Sequence, residues 1–273
     1  MTEHRADGAP RGVVALVPGL YGAPRALFDA FADRLEDDGW LVLRILAPSS
    51  RFMETHELQL GGDDLDGSVT TAASWFDERF AEVAYAVEAG LDEIERRDPS
   101  LRSKPRVLVG MSGGAISAPA VAARMIETGR PLQAAVLVAG GVDALGIAGT
   151  SSYTGWIDAV RFRWSDWEDG DVLPPSELLD EARGGYAEAA SLDPGSLLWA
   201  FDGVETLVLQ ATRDEAVPVA SGQALWEGLG KPERWTTWSG HLELFLRLWL
   251  SADGLVRWID RASPRGSVAE ASR

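Results

Sequence analysis

The chain predicts an α/β fold with a mostly parallel sheet of about six strands and helices on both faces. Three observations carry this. Short continuous apolar runs recur along the chain and end in Pro or Gly, as strands buried on both faces do. Segments with apolar residues at spacings of three and four separate them. The two alternate regularly, which is the pattern of a parallel sheet joined by helical crossovers, expected to be right-handed.

The elements follow in order. Residues 13–17 (VVALV) form the first strand, stopped by Pro18-Gly19. Residues 24–38 read as a helix, with Leu27, Phe28, Phe31 and Leu35 on one face and Gly39 as a stop. Residues 40–47 (WLVLRILA) form the second strand, ended by Pro48. Residues 49–70 read as loop, with Gly61-Gly62 and nearby aspartates. A long helix is expected over 71–97, where Phe76, Phe80, Val83, Val87, Leu91 and Ile94 recur. Residues 107–109 are the third strand and 115–128 a small-residue helix. Residues 134–139 (AAVLVA) are the fourth strand. The rhythm breaks over 142–200, where Trp156, Trp164, Trp167 and Trp199 are mixed with Asp, Glu, Gly and Pro. It returns with a strand at 206–210, a helix at 218–229, a strand at 234–238 and an apolar helix at 241–259.

This organisation predicts one domain over 13–261, with 142–200 as a cap-like insertion after the fourth strand. Residues 1–12 and 262–273 are polar and are expected to be flexible tails. A length of 273 residues with 46% hydrophobic and 25% charged residues suits one globular domain that needs no staples. Cysteine is absent, which excludes disulfides and thiolate metal sites. Three histidines, His4, His56 and His241, are too few to suggest a multi-histidine metal centre. No metal or cofactor is expected. A net charge of −17 repels phosphate backbones and argues against a nucleic-acid partner. No apolar run is long enough to span a bilayer, and residues 1–10 lack the apolar core of a signal peptide. A cytoplasmic protein with no membrane partner is expected.

In an open parallel sheet, sites gather at the carboxyl ends of strands. After the third strand stands Gly110-Met111-Ser112-Gly113-Gly114. This is G-x-S-x-G between strand and helix. Small flanking residues let strand and helix approach while the turn pushes the serine hydroxyl outward. A serine needs a base to take its proton. His241 follows the last strand directly and therefore lies at the same sheet edge, whereas His4 lies in the N-terminal tail and His56 in a loop. The base needs an acid to hold its tautomer. Asp214 stands just beyond the fifth strand; Asp143, after the fourth strand, and the adjacent Glu215 are rivals. The chain order Ser112, Asp214, His241 is Ser, acid, His. Two backbone donors are expected to receive the developing oxyanion: the N–H of Gly113 and the N–H of Leu20 in the loop after the first strand.

The segments VALVPGLYG, VLVGMSGGA, LVLQATRDEAVP and SGHLELF together resemble those of α/β-hydrolase fold serine hydrolases, of the compact esterase and dienelactone-hydrolase-like kind. The resemblance covers roughly residues 13–260. It implies acylation of Ser112 and hydrolysis of the acyl-enzyme by water activated through His241, on a small ester-like substrate. The same three residues would also serve acyl transfer, perhydrolysis or C–C cleavage, and a binding protein of this fold is a further alternative. Three departures stand out. Pro18 precedes Gly19 where the family often has His-Gly, Gly113 is small, and the two antiparallel strands that often open the fold are not visible. In the insertion, Tyr153, Trp156, Trp164 and Trp167 are read mostly as packing residues, with an acyl pocket as the alternative. The acidic run 166–171 is read as a solvated loop rather than a cation site.

Overall fold

The fold was analysed in a computed structural model, which describes residues 2–4, 9–19, 25–45, 56–61, 64–151, 160–164 and 176–263. Nine strands lie among these: β1 (Thr2–His4), β2 (Val13–Val17), β3 (Leu41–Arg44), β4 (His56–Leu60), β5 (Arg106–Met111), β6 (Ala134–Val138), β7 (Val160–Trp164), β8 (Glu205–Ala211) and β9 (Glu233–Thr237). The helices are α1 (Arg25–Asp37), α2 (Leu65–Arg97), α3 (Gly113–Ile116), α4 (Ala118–Glu127), α5 (Ala144–Thr150), α6 (Ser176–Ala189), α7 (Val219–Gly228), α8 (His241–Leu250) and α9 (Ala252–Ala262). A further helical stretch, Pro194–Phe201, is of the tighter 3₁₀ type.

Seven strands form one sheet in the order β1-β3-β2-β5-β6-β8-β9. The six expected strands are all parallel neighbours in it. Their apolar runs are buried on both faces because alternate side chains enter different cores. Val13, Ala15 and Val17 of β2 face a core built with α2, α4, Leu225 of α7 and residues 200–201. Val14 and Leu16 face a core built with α1, α8 and α9. The sheet order reverses at β2 and β5, and the helices after these strands lie on opposite faces. A crevice therefore opens beyond the carboxyl ends of β2 and β5.

Four expectations need correction. Residues 2–4 are not a tail: β1 pairs antiparallel with β3, Thr2 opposite Arg44 and His4 opposite Val42. The outer edge of β3 offers unpaired backbone groups, and a short polar segment can satisfy them without any apolar signal. Residues 49–70 are not all loop. His56–Leu60 alternates, with Leu58 and Leu60 buried, and β4 pairs in parallel with β7 as a second, two-stranded sheet. α2 begins at Leu65 rather than 71, because the Asp64 side chain accepts the Gly67 N–H at 2.9 Å and caps it. The last helix is two: Ser251 closes α8 and opens α9.

Residues 142–200 hold α5, β7, α6 and most of the 3₁₀ stretch. α6 packs on α2, and Leu179, Ala182 and Tyr186 join Leu58, Leu60, Phe76 and Phe80 in a third core. Trp199 is half exposed. Tyr153, Trp156, Trp167 and residues 166–171 lie outside the described residues, as does the side chain of Trp164.

Candidate active site

β5 carries the chain to Met111, and α3 starts at Gly113. Ser112 alone makes the turn, at φ 51° and ψ −119°. A side chain with positive φ is strained, and such strain persists only where the surroundings hold it. Here the hold is steric. A Cβ on Gly110 would stand 2.5 Å from the Gly114 carbonyl oxygen, and one on Gly114 would stand 2.2 Å from that of Val17. Glycines thus let β2, β5 and α3 meet without side chains between them. The Ser112 N–H donates to the Val138 carbonyl of β6 at 2.8 Å, which ties the turn to the next strand.

His241 is the first residue of α8. The Gly240 N–H before it donates to the Glu243 carboxylate at 2.9 Å, fixing the helix start. The His241 ring is buried and meets Phe245, one turn on, edge to face at 5.2 Å between centroids. Beyond their paired strands, the loops after β8 and β9 stay zipped together. The Thr212 N–H donates to Thr237 at 2.9 Å, and the Arg213 N–H to Ser239 at 3.0 Å. Arg213 also lies over the exposed Trp238 ring at 4.1 Å.

Asp214 is held by its own loop. Its Oδ1 accepts the N–H groups of Ala216 at 3.0 Å and Val217 at 2.8 Å. Its carboxylate lies against His241 Nδ1, at 2.8 Å from Oδ2 and 3.0 Å from Oδ1. On the other side of the ring, His241 Nε2 is 3.0 Å from Ser112 Oγ. Three side chains from the ends of β5, β8 and β9 therefore form one hydrogen-bonded chain. Asp214 and His241 are buried and Ser112 is half-buried, so the chain opens outward at the hydroxyl.

The rivals for the acid go elsewhere. Asp143 caps α5 by accepting the Gly146 N–H at 2.9 Å, and it pairs with Arg183. Glu215 is exposed. Gly113, at the start of α3, has one of the first N–H groups of a helix, which find no intrahelical acceptor. Leu20 lies outside the described residues. Its neighbour Gly19 faces the serine: a Cβ there would stand 2.7 Å from Ser112 Cβ and 3.4 Å from Oγ. Sequence reasoning missed Gly19, Glu243 and Phe245 as supports. Glu243, three residues after Gly240, was the visible signal of a helix cap. Among the described residues, no group of three His, Asp or Glu side chains could hold a metal ion, and no helix is long and apolar enough to cross a membrane.

No family model and no curated protein matches this chain. Solved structures do. TT1662 from Thermus thermophilus is 19% identical, with 96% of this chain and 92% of that one covered at a TM-score of 0.51. Est1E from Butyrivibrio proteoclasticus is 12% identical over 95% and 92% at 0.57. A cold-adapted esterase from an Arctic intertidal metagenomic library is 18% identical over 94% and 85% at 0.56. The fold is the α/β-hydrolase fold. At these identities the likeness concerns the fold, and the α/β-hydrolase fold supports many reactions, so activity must be argued from the site.

Proposed function

We propose that the chain is a serine hydrolase that cleaves a carboxylic ester or similar acyl bond in a small molecule. One observation carries this: the unbroken chain from Ser112 through His241 to Asp214, with contacts of 3.0 and 2.8 Å, beginning at a strained serine. With the Nδ1–H donating to Asp214, Nε2 is free of its proton and faces the hydroxyl. As Ser112 Oγ bonds to the acyl carbon, its proton passes to Nε2 and Asp214 balances the imidazolium. The tetrahedral oxyanion is received by the N–H groups of Gly113 and Leu20. His241 then gives its proton to the departing alkoxide, leaving an acyl-enzyme. Water, deprotonated by His241, attacks that ester and frees Ser112. The cold-adapted esterase among the similar structures supports the choice of substrate class.

In this reading residues 13–261 are one catalytic domain and 142–200 its cap. The enzyme works in the cytoplasm without nucleic-acid or membrane partners. The test is hydrolysis of short-chain aryl esters together with labelling by a fluorophosphonate probe. Both are expected in the natural chain, and both should vanish in Ser112→Ala. Turnover that survives in Ser112→Ala, or a natural chain that is never labelled between pH 6 and 9, would sink the proposal.

A further inference from the structure

Arg79 is a buried charge without a carboxylate partner among the described residues. It lies on the inner face of α2 and is 8% exposed. The other arginine buried among the described residues has a carboxylate: Arg106 meets Glu95 at 2.9 Å. Among the described residues, nothing accepts a hydrogen bond from Arg79 and no carboxylate pairs with it, and its Nε–H is buried without an acceptor. Its Cζ lies over the ring of Trp75, 4.7 Å from the centroid. Trp75 shares the deficiency, because its indole Nε1–H is also buried without an acceptor. Two donors, one of them charged, thus stand side by side. The walls are aromatic: His56 stacks on Trp75 at 5.4 Å and Phe76 meets it edge-on at 5.1 Å. Desolvating a guanidinium without a counter-charge is costly, and so is burying an N–H without an acceptor. A ligand that brings an anionic acceptor would remove both costs.

We propose that Arg79 and Trp75 bind the carboxylate of a small organic acid whose apolar body lies against the aromatic layer. A carboxylate suits the planar fork of arginine and matches its single charge. Among the described residues a dianionic phosphate would meet one guanidinium here, in a chain of net charge −17. Trp75 packs against the same core as Ile116, four residues after Ser112. The carboxylate is either part of the ester substrate or a separate acid. Binding itself does not depend on the hydrolase reading; only this choice does.

Calorimetric titration with benzoate tests the site, with benzamide as the neutral match and inorganic phosphate as the competing anion. Benzoate should bind the natural chain and raise its Tm, benzamide should do neither, and phosphate should bind more weakly. Arg79→Met should weaken benzoate about ten- to a hundredfold, the loss of charge-assisted hydrogen bonds. Its Tm in the absence of ligand should not fall, since an unpaired buried charge has been removed. Trp75→Phe, which keeps the ring but loses the N–H, should weaken benzoate about fivefold. No binding by the natural chain, equal binding by both variants, or tighter binding of phosphate would overturn the proposal. Two esters separate the sources. If Arg79→Met raises KM for monomethyl glutarate but not for dimethyl glutarate, the carboxylate belongs to the substrate. If benzoate instead changes dimethyl glutarate turnover without competing, a separate acid binds there.

Discussion

At Ser112 the backbone is held at φ 51° by neighbours that have no side chains to spare. The consequence can be tested at Gly19, whose added Cβ would stand 2.7 Å from Ser112 Cβ. Gly19→Ala should fold, yet lose about a hundredfold in kcat/KM, because displacements near 1 Å at a reacting group cost about that much. Ester kinetics beside circular dichroism would check both halves. Asp214→Asn keeps the shape but lets the ring take the wrong tautomer, and kcat should fall by about 10⁴. The meeting of Ser112, Asp214 and His241 was legible because each is a demanding residue type within four residues of a strand's carboxyl end. Arg79 was not. In a helix an arginine reads as surface, and its burial against Trp75 is set by tertiary packing that no local pattern announces.

Among the elements, the six parallel strands of the larger sheet were legible to within two or three residues, since burial on both faces demands an uninterrupted apolar run. β1 and β4, the latter with its partner β7, were missed for the converse reason. β1 is polar and β4 half exposed, and partners distant in sequence define both. A similar long-range tie joins α5 to the 3₁₀ stretch. Asp193 is buried and accepts the Ala144 N–H at 3.1 Å and the Gly195 N–H at 2.9 Å. Burial pushes its carboxyl above the ordinary carboxylate range, although these donors pull the other way. The folded chain thus holds this proton more tightly than the unfolded chain does. That contribution is full below the ordinary carboxylate pKa and is lost as pH rises through the raised one. Asp193→Asn lacks this titration. The natural chain should therefore gain stability relative to Asp193→Asn as pH falls from 7 to 4, measured by urea unfolding at each pH. An unchanged difference across that range would contradict the assignment.

For the whole molecule, an excess of 17 negative charges works against the compact state. Raising NaCl from 0.02 to 0.5 M should raise Tm by about 2–4 °C, on the order of 1 kcal/mol, through screening alone. A scan in sodium sulfate would not serve, because sulfate also strengthens apolar burial. The order of the sheet has its own consequence for how the chain could be divided. Ser112 arrives with the first half of the sequence, and Asp214 and His241 with the second. Between α4 and β6 the chain turns at Gly129, where an added Cβ would meet nothing within 4 Å. A cut at that turn would separate nucleophile from acid and base, yet β5 and β6 are direct neighbours and could still find each other. The two fragments would each be silent and active only together, a reporter of proximity whose signal is the reassembled sheet.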